Sequence, residues 1–563
     1  MEKTNHCFFS ILILFIITIF CTSAVSASDD TEWCQFQKDW TQTGLINCSA
    51  PFLFPELVWE FESEYGFNVM PIIHEDMAYG LSSHGNVYAL NRHTGELVWS
   101  ATTKDGLMQT SIPAYGDGKL FVAINDETNS GYLFAFNGTT GKELWNVSVT
   151  SGNFACPLTY YDHRLYIGEG LKGGVKTKNY YCYQDDGTFL WSYPTASTAG
   201  FLWNGASVIG DYIVYPTHEG KIVCLCRENG TFFDEVDLTK DVSFARSDLG
   251  RIRASVAYHD GYIYTTSETT YTSGFIWRIG FDSLNGKFID DGWNVFRDFS
   301  TSTPVIYEGK VYVGQGEHGY TGEMLCLNAS DGAELWAYPV DGGVKSSPAV
   351  CLQGDDIYIY FTEAIPDGAF YCVKGDGTLA WEYNPPADTS YILQGASISD
   401  GKVYFGTGAG NIYAFQEMAP TIPVADFTAN VTYGYDTLAV SFTDMSTVAT
   451  SWEWDFDGDG FVDSTEQNPI HFYASTGAYN VSLKVGNIYG NGSEVKSSYI
   501  FVDDDWNPWN DPESDGDEMI TFAEVMEAYN CFVNQTGAPK TGVDIDFATV
   551  MVMYNAFVSQ TPM

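Results

Sequence analysis

The sequence predicts a mainly β chain: an eight-bladed β-propeller followed by an immunoglobulin-like β-sandwich and a small helical hairpin of calcium-binding type. Three observations carry this expectation. A unit of about 45 residues recurs eight times, each copy offering several short strands, which is the pattern of a propeller. The proline-rich stretch Ala419-Pro420-Thr421-Ile422-Pro423 ends the repeat, and a different alternation of strands begins. Residues 503–563 then change to helical spacing. The expected layout is a signal peptide over 1–27, the propeller over 28–418, the sandwich over 419–502 and the duplicated helices over 503–563.

The repeat can be read strand by strand. Each unit opens on an apolar strand, as at Pro71-Ile72, Pro113-Ala114 or Pro304-Val305. A second strand follows a Gly/Asp turn, as in Glu308-Gly309-Lys310-Val311-Tyr312-Val313. The third strand carries a small residue between large ones: Ala89, Ala135, Cys182, Cys224, Gly280, Cys326, Cys372 and Ala414. Cysteine in that slot behaves as a small buried hydrophobe, so these four cysteines are expected in neither a metal cluster nor a redox pair. The fourth strand carries tryptophan, at Trp99, Trp145, Trp191, Trp293, Trp336 and Trp381, with Phe232-Phe233 in the fourth unit. The eighth unit ends at Asn411-Ile412-Tyr413-Ala414-Phe415 without its tryptophan strand. Glu56-Leu57-Val58-Trp59-Glu60-Phe61 offers the missing piece, and closing the ring with it removes an open sheet edge.

Composition bounds the surroundings. The formal charge of −46 excludes binding nucleic acid or an anionic membrane through a basic patch. The apolar run Phe8 to Phe20, followed by Val25-Ser26-Ala27, reads as a secretion signal. With it go nine Asn-x-Ser/Thr sequons, the first at Asn47. No later segment is apolar enough to span a bilayer, so the mature chain is expected to be secreted or held at the cell surface. Cys34 and Cys48 bracket a short irregular segment of an exported chain and are expected to pair.

The Tyr-Ala-Leu-Asn…Thr-Gly-Glu-x-x-Trp units resemble the pyrroloquinoline-quinone (PQQ)-type repeat family, which includes BamB-like assembly scaffolds and quinoprotein alcohol dehydrogenases. The resemblance covers roughly residues 30 to 417. Trp33-Cys34-Gln35-Phe36-Gln37-Lys38-Asp39…Thr43-Gly44 is similar to a leader found before such propellers. Quinone-dependent members of the family generally show an adjacent Cys-Cys pair near the cofactor, and this sequence has no such dipeptide. No PQQ is therefore expected.

Beyond the propeller, Leu438-Ala439-Val440-Ser441-Phe442 and Tyr479-Asn480-Val481-Ser482-Leu483 read as strands of a small sandwich. With Trp452-Glu453-Trp454-Asp455-Phe456-Asp457 and Asn468-Pro469-Ile470-His471-Phe472-Tyr473 they resemble a PKD domain, which implies adhesion, spacing or glycan contact outside the cell. Within it lies an EF-hand-like ligand pattern: Asp455, Asp457, Asp459, the Phe461 carbonyl, Asp463 and Glu466, with Gly460 at the sharp turn. Hard oxygens at that spacing can wrap Ca²⁺. The same run also reads as a turn held by its own side-chain hydrogen bonds.

The C-terminal segment Ile520-Thr521-Phe522-Ala523-Glu524-Val525-Met526 is echoed by Ile545-Asp546-Phe547-Ala548-Thr549-Val550-Met551. Phe522, Val525, Met526, Tyr529, Phe532 and Val533 form one apolar face, predicting an antiparallel helix pair. A second acidic loop offers Glu513, Asp515, Asp517, the Met519 carbonyl, Thr521 and Glu524, with Glu518 where glycine is usual. Duplicated loop–helix units resemble dockerin modules, and the resemblance implies docking to a cohesin-like surface protein. A calcium-stabilised hairpin without a partner is the other reading.

No nucleophile triad, zinc-type cluster or phosphate-cradling loop stands out. His84 and His218 fall in turns and read as solvated. The expected function is an exported, non-catalytic scaffold or adhesion protein that is not an enzyme and binds a surface protein or glycan, with calcium stabilising the appended modules. The alternative is an extracellular enzyme, quinone-dependent or polysaccharide-active.

Overall fold

The computed structural model describes residues 32–559 apart from 105–110, 129, 151, 171–177, 196–199, 271, 318, 387–391, 393, 394, 420, 436, 504–521 and 538–544. The secretion signal and the expected ligands Glu513, Asp515, Asp517, Met519 and Thr521 lie outside the described residues. The chain divides into two compact units, Met1–Met418 and Ala419–Met563.

The first unit contains eight sheets, each built on four antiparallel strands; those of blades 5 and 7 carry a fifth strand, Arg251–Ile252 and the parallel Leu45–Ile46. Blade 1 runs Ile72–His74, Met77–Leu81, Asn86–Asn91 and Leu97–Thr102. The inner strands of blades 2 to 8 are Ala114–Gly116, Thr159–Tyr161, Ser207–Ile209, Ala257–His259, Val305–Tyr307, Ala349–Gln353 and Ser397–Ser399. The outer strand of blade 8 is Pro55–Glu62, antiparallel to Asn411–Glu417 with Trp59 opposite Ala414. The N-terminal strand therefore closes the ring as its sequence indicates.

The small-residue slot acquires a physical reason. Ala89, Ala135, Cys182, Cys326, Cys372 and Ala414 each stand directly across the ladder from the tryptophan of their blade. The small side chain leaves room for the indole to lie over the sheet. Each indole then reaches the following blade. Trp59 Nε1 donates to the Arg92 carbonyl, Trp99 to Gly138, Trp145 to Asp185, Trp191 to Arg227, Trp293 to Ala329, Trp336 to Gly375 and Trp381 to Pro51, at 2.7–3.2 Å. Except at Trp381, whose partner Pro51 precedes the closing strand, the ring face packs on the turn glycine of that next blade. At Gly141, where φ is +69°, an added Cβ would fall 2.5 Å from the Trp99 ring. Glycine is required there twice over, by conformation and by contact. Blade 4 lacks the indole, and Tyr212 takes its place against Gly286 of blade 5, donating its hydroxyl to the Leu284 carbonyl at 3.2 Å.

The leader after residue 32 fills the centre of the ring. Trp33 exchanges hydrogen bonds with Ile73 of blade 1, and the Cys34 carbonyl accepts from Tyr115 N of blade 2. Gln35 bonds both ways with the Tyr160 backbone of blade 3. The Trp40 and Thr41 carbonyls accept from Val208 and Tyr258 of blades 4 and 5, and the Gly44 carbonyl from Val350 of blade 7. The Gln37 amide donates to the Thr303 carbonyl at the entrance to blade 6. Inner strands of a propeller expose an unpaired edge to the channel, and this one segment satisfies seven of them. Cys34 and Cys48 do not pair: both are free thiols, Cys34 beside His74 of blade 1 and Cys48 with its carbonyl 2.6 Å from the Cys351 sulfur of blade 7.

In the second unit, two sheets enclose a core of Phe427, Phe442, Trp454, Phe456, Val481 and Leu483. Helices α1 (Phe522–Asn534) and α2 (Phe547–Ser559) pack antiparallel, since Phe522 meets Phe557 and Phe532 meets Phe547. Their seam differs from the expected one. It is built on Val525, Ala528 and Cys531 against Ile545, Val550 and Met553, while Phe522, Met526, Tyr529 and Val533 are exposed. Small residues at 528 and 531 allow the helices to approach closely, which the bulkier stripe would prevent.

The interblade indole sets a stability expectation. Trp99→Ala should cost about 3–5 kcal/mol by analogy with other large core truncations. Trp99→Phe should cost less, because it retains ring packing and loses one hydrogen bond of about 1 kcal/mol. Denaturant unfolding of the two variants checks the order.

Candidate functional site

In a meandering blade, the connection into each inner strand and the turn between the second and third strands lie at the same end of the ring. At this end the repeat stops being regular. Trp203, Arg253 and Lys345 each stand four residues before the first paired residue of their inner strands, Ser207, Ala257 and Ala349. Equivalent positions in three blades thus carry an indole and two cations. Trp203 is half-buried and holds φ of +67°, with its N–H donating to the Ala155 carbonyl at 2.7 Å. A left-handed backbone at a bulky residue costs energy and marks positions where the side chain is being aimed.

Both cations flank that indole. The Arg253 guanidinium carbon is 5.4 Å and the Lys345 Nζ 5.3 Å from the ring centroid. Lys345 is also 5.1 Å from the Phe299 ring and pairs with Glu317 at 2.9 Å. Glu268 lies near the end of the second strand of blade 5, Tyr262–Thr270, and sits between Arg251, at 3.3 Å, and Arg253, at 3.5 Å. His218, in the blade 4 turn, is buried rather than solvated. His84, the other turn histidine, stacks on Tyr65 at 4.0 Å.

The electrostatics follow from burying charge. Burial raises the Glu268 carboxyl above its ordinary value despite Arg253 and Arg251. Burial lowers the Lys345 ammonium, partly offset by Glu317. Burial, with Arg251 and Arg253 nearby, lowers His218 to about 4. Among the described residues, His218 Nδ1 is buried without a hydrogen-bond partner, while Arg253 Nε and Glu268 Oε2 face each other as an ion pair 3.5 Å apart. A half-exposed indole between two cations suits an anionic ligand with a flat or extended body.

The sequence-derived ligand residues distribute differently. Asp455, Asp457 and Asp463 converge, with one oxygen from each inside a sphere of metal-site size, whereas Asp459 and Glu466 are outside that group. Their carboxylates already accept backbone N–H groups: Asp455 from Asp457, Gly458 and Gly460, Asp459 from Phe461, and Asp463 from Phe456. Phe461 is exposed at the loop tip, and Glu466 contributes its carbonyl to Trp454 Nε1. Glu524 lies in the first turn of α1.

Two family models match the chain. The model described as outer membrane protein assembly factor BamB, a PQQ-type repeat, matches residues 83–276 and 272–417. The chain belongs to this BamB-type family. A PKD-domain model matches residues 417–502. Among curated proteins, tetrathionate hydrolase of Acidithiobacillus ferrooxidans is 33% identical over 315 residues, covering 52% of this chain and 57% of that protein. Polyvinylalcohol dehydrogenase of a Sphingopyxis species is 25% identical over 414 residues, covering 64% of this chain and 61% of that one. The chain thus matches less than two thirds of either relative. Two solved structures share the fold: a europium-containing methanol dehydrogenase and the quinohemoprotein alcohol dehydrogenase of Comamonas testosteroni. The first has a TM-score of 0.56 at 13% identity, covering 69% of this chain and 98% of that one. The second has 0.54 at 13% identity, covering 72% and 83%.

These relatives correct three expectations. The curated ones are named for enzymes, which overturns the reading as a non-catalytic scaffold and the expectation that the chain is not an enzyme. The expectation that PQQ is excluded also falls, since dehydrogenases titled as quinohemoproteins share this propeller. The Cys-Cys argument failed because it tested one accessory feature and not the ligand-facing slot. The repeat itself misled: its tryptophans and small residues are occupied by ring closure, while Trp203, Arg253 and Lys345 lie in the connections between repeats. One signal was available, because aligning the residues before each inner strand sets Trp203, Arg253 and Lys345 against Asn68, Thr110, Ala155, Thr301 and Leu393, so that the two cations stand out. No described helix is long and apolar enough to cross a membrane.

The buried histidine gives a pH expectation. Neutral His218 must gain a proton on unfolding between the ordinary histidine value of about 6.5 and its folded value of about 4. Its contribution to stability is therefore present above that window and lost as pH falls through it. Wild type should lose more stability than His218→Gln between these limits in denaturant titrations; parallel curves would contradict the assignment.

Proposed function

We propose that the chain is an exported enzyme whose propeller binds an anionic cofactor or substrate against Trp203, between Arg253 and Lys345. The observation carrying this reading is the half-exposed indole flanked by two cations. The first reading is a quinone-dependent dehydrogenase acting on an alcohol. The donor set fits PQQ, a planar polycarboxylate: Trp203 offers a flat apolar face, and Arg253 and Lys345 offer charge for carboxylates. When bound, PQQ would supply the two-electron oxidant.

This chain's residues would do the remainder. Lys345, held by Glu317, fixes a negative group beside the ring. Glu268, raised by burial, stands ready to accept a proton nearer neutral pH than an ordinary glutamate. Arg251 and Arg253 hold that carboxylate in place. A second reading, hydrolysis of a sulfur oxyanion at the same cations, is favoured by the 33% identical relative.

Export is supported by the apolar run Phe8 to Phe20.

Full-length protein is tested by adding PQQ and measuring bound quinone absorbance and dye-linked oxidation of polyvinyl alcohol, with loss of tetrathionate assayed in parallel. Trp203→Ala and Lys345→Met should abolish whichever activity is present while the fold persists. Undiminished turnover in both variants would remove the site. Binding should also depend on pH. Glu268 becomes charged as pH rises through its elevated value, so anion affinity should fall over that range. Glu268→Gln should flatten this fall in calorimetric titrations.

A further inference from the structure

A second cluster lies at the opposite end of the ring, where the first and second strands of each blade turn. Glu32 and Cys34 come from the leader, and His74 ends the inner strand of blade 1. One ligand atom from each falls within a common sphere of metal-site size. The Cys34 sulfur is 3.6 Å from His74 Nδ1 and 3.3 Å from Glu32 Oε2, and His74 Nδ1 is 2.6 Å from the same carboxylate oxygen.

We propose that Glu32, Cys34 and His74 form a three-ligand site for a transition-metal ion of the zinc class, distinct from the anion site around Trp203. The ligand set is the mixed thiolate, imidazole and carboxylate that such an ion prefers over the all-oxygen set of calcium. With Zn–S of about 2.3 Å and Zn–N or Zn–O of about 2.1 Å, tetrahedral binding requires ligand separations of about 3.4–3.6 Å. The two separations from sulfur are already close to this. Only the His74–Glu32 contact must open, by about 0.8 Å, to admit the ion.

The surroundings hold the ligands in place. His74 stacks on Tyr115 at 3.9 Å, which fixes the ring plane. Glu75 N donates to the second oxygen of Glu32 at 3.2 Å, and the Cys34 carbonyl is held by Tyr115 N. Cys34 also borders a cavity of about 310 Å³ lined by Trp40, Tyr115, Tyr160 and Tyr161, through which a fourth ligand could enter. Cys48, expected from sequence to compete for Cys34, stands against Cys351 instead.

The test uses the full chain with thiols kept reduced and calcium in excess to occupy surface carboxylates. Titration with Co²⁺ should produce a thiolate-to-cobalt charge-transfer band saturating at one ion per chain. The band should be lost in Cys34→Ser and in His74→Asn. Zn²⁺ should protect Cys34 from alkylation in the wild type, read by peptide mass, which decides the matter even if a variant fails to fold. Absence of the band, its persistence in Cys34→Ser, or equal alkylation with and without Zn²⁺ would overturn the site. Trp203→Ala should leave the band intact, separating this site from the proposed catalytic one.

Discussion

The ring depends on one recurring contact, an indole lying on the turn glycine of the next blade and donating to a backbone carbonyl there. Each blade buries little against itself, so its faces must be covered by neighbours. The indole supplies most of that cover in one residue, while its N–H satisfies a carbonyl that the turn would leave buried. The contact imposes conditions on two other positions. The residue across the ladder must be small, and the turn residue must be glycine. Three of the motif's letters are therefore a single physical requirement repeated around a circle.

That economy explains what could be read from the chain alone. Tryptophan, small slot, glycine and the borrowed strand at Trp59 recur because each blade faces the same packing problem. Trp203, Arg253 and Lys345 face a different one, at a place where neighbouring repeats carry other residues. They were invisible to a pattern that looks for sameness. His218 was misread for a related reason: turns are usually solvated, but this one is tucked beneath the connection into blade 5, with Ile252 N donating to its carbonyl. In the C-terminal hairpin the difficulty was excess. A helix apolar on more than one stripe does not reveal which stripe meets its partner, and the small pair Ala528 and Cys531 decided it.

Charge is organised in a corresponding way. The chain is acidic overall, yet Arg253 and Lys345 at the irregular end of the ring are drawn inward, each beside a carboxylate and an aromatic ring. Burying Glu268 beside Arg253 costs desolvation, and the ion pair offsets part of that cost. At the other end, Glu32 and Cys34 of the leader meet His74 of blade 1.

The leader also has a consequence for how the protein comes into being. Residues 33–62 are made first, yet their partners extend to Glu417, the last strand of the ring. Every inner edge they cover, and the blade they complete, must exist before they can settle. The segment with the most bonds to give is thus the last to spend them, and folding must wait for contacts of very long sequence separation. Until then the ring has an open seam and an empty hub.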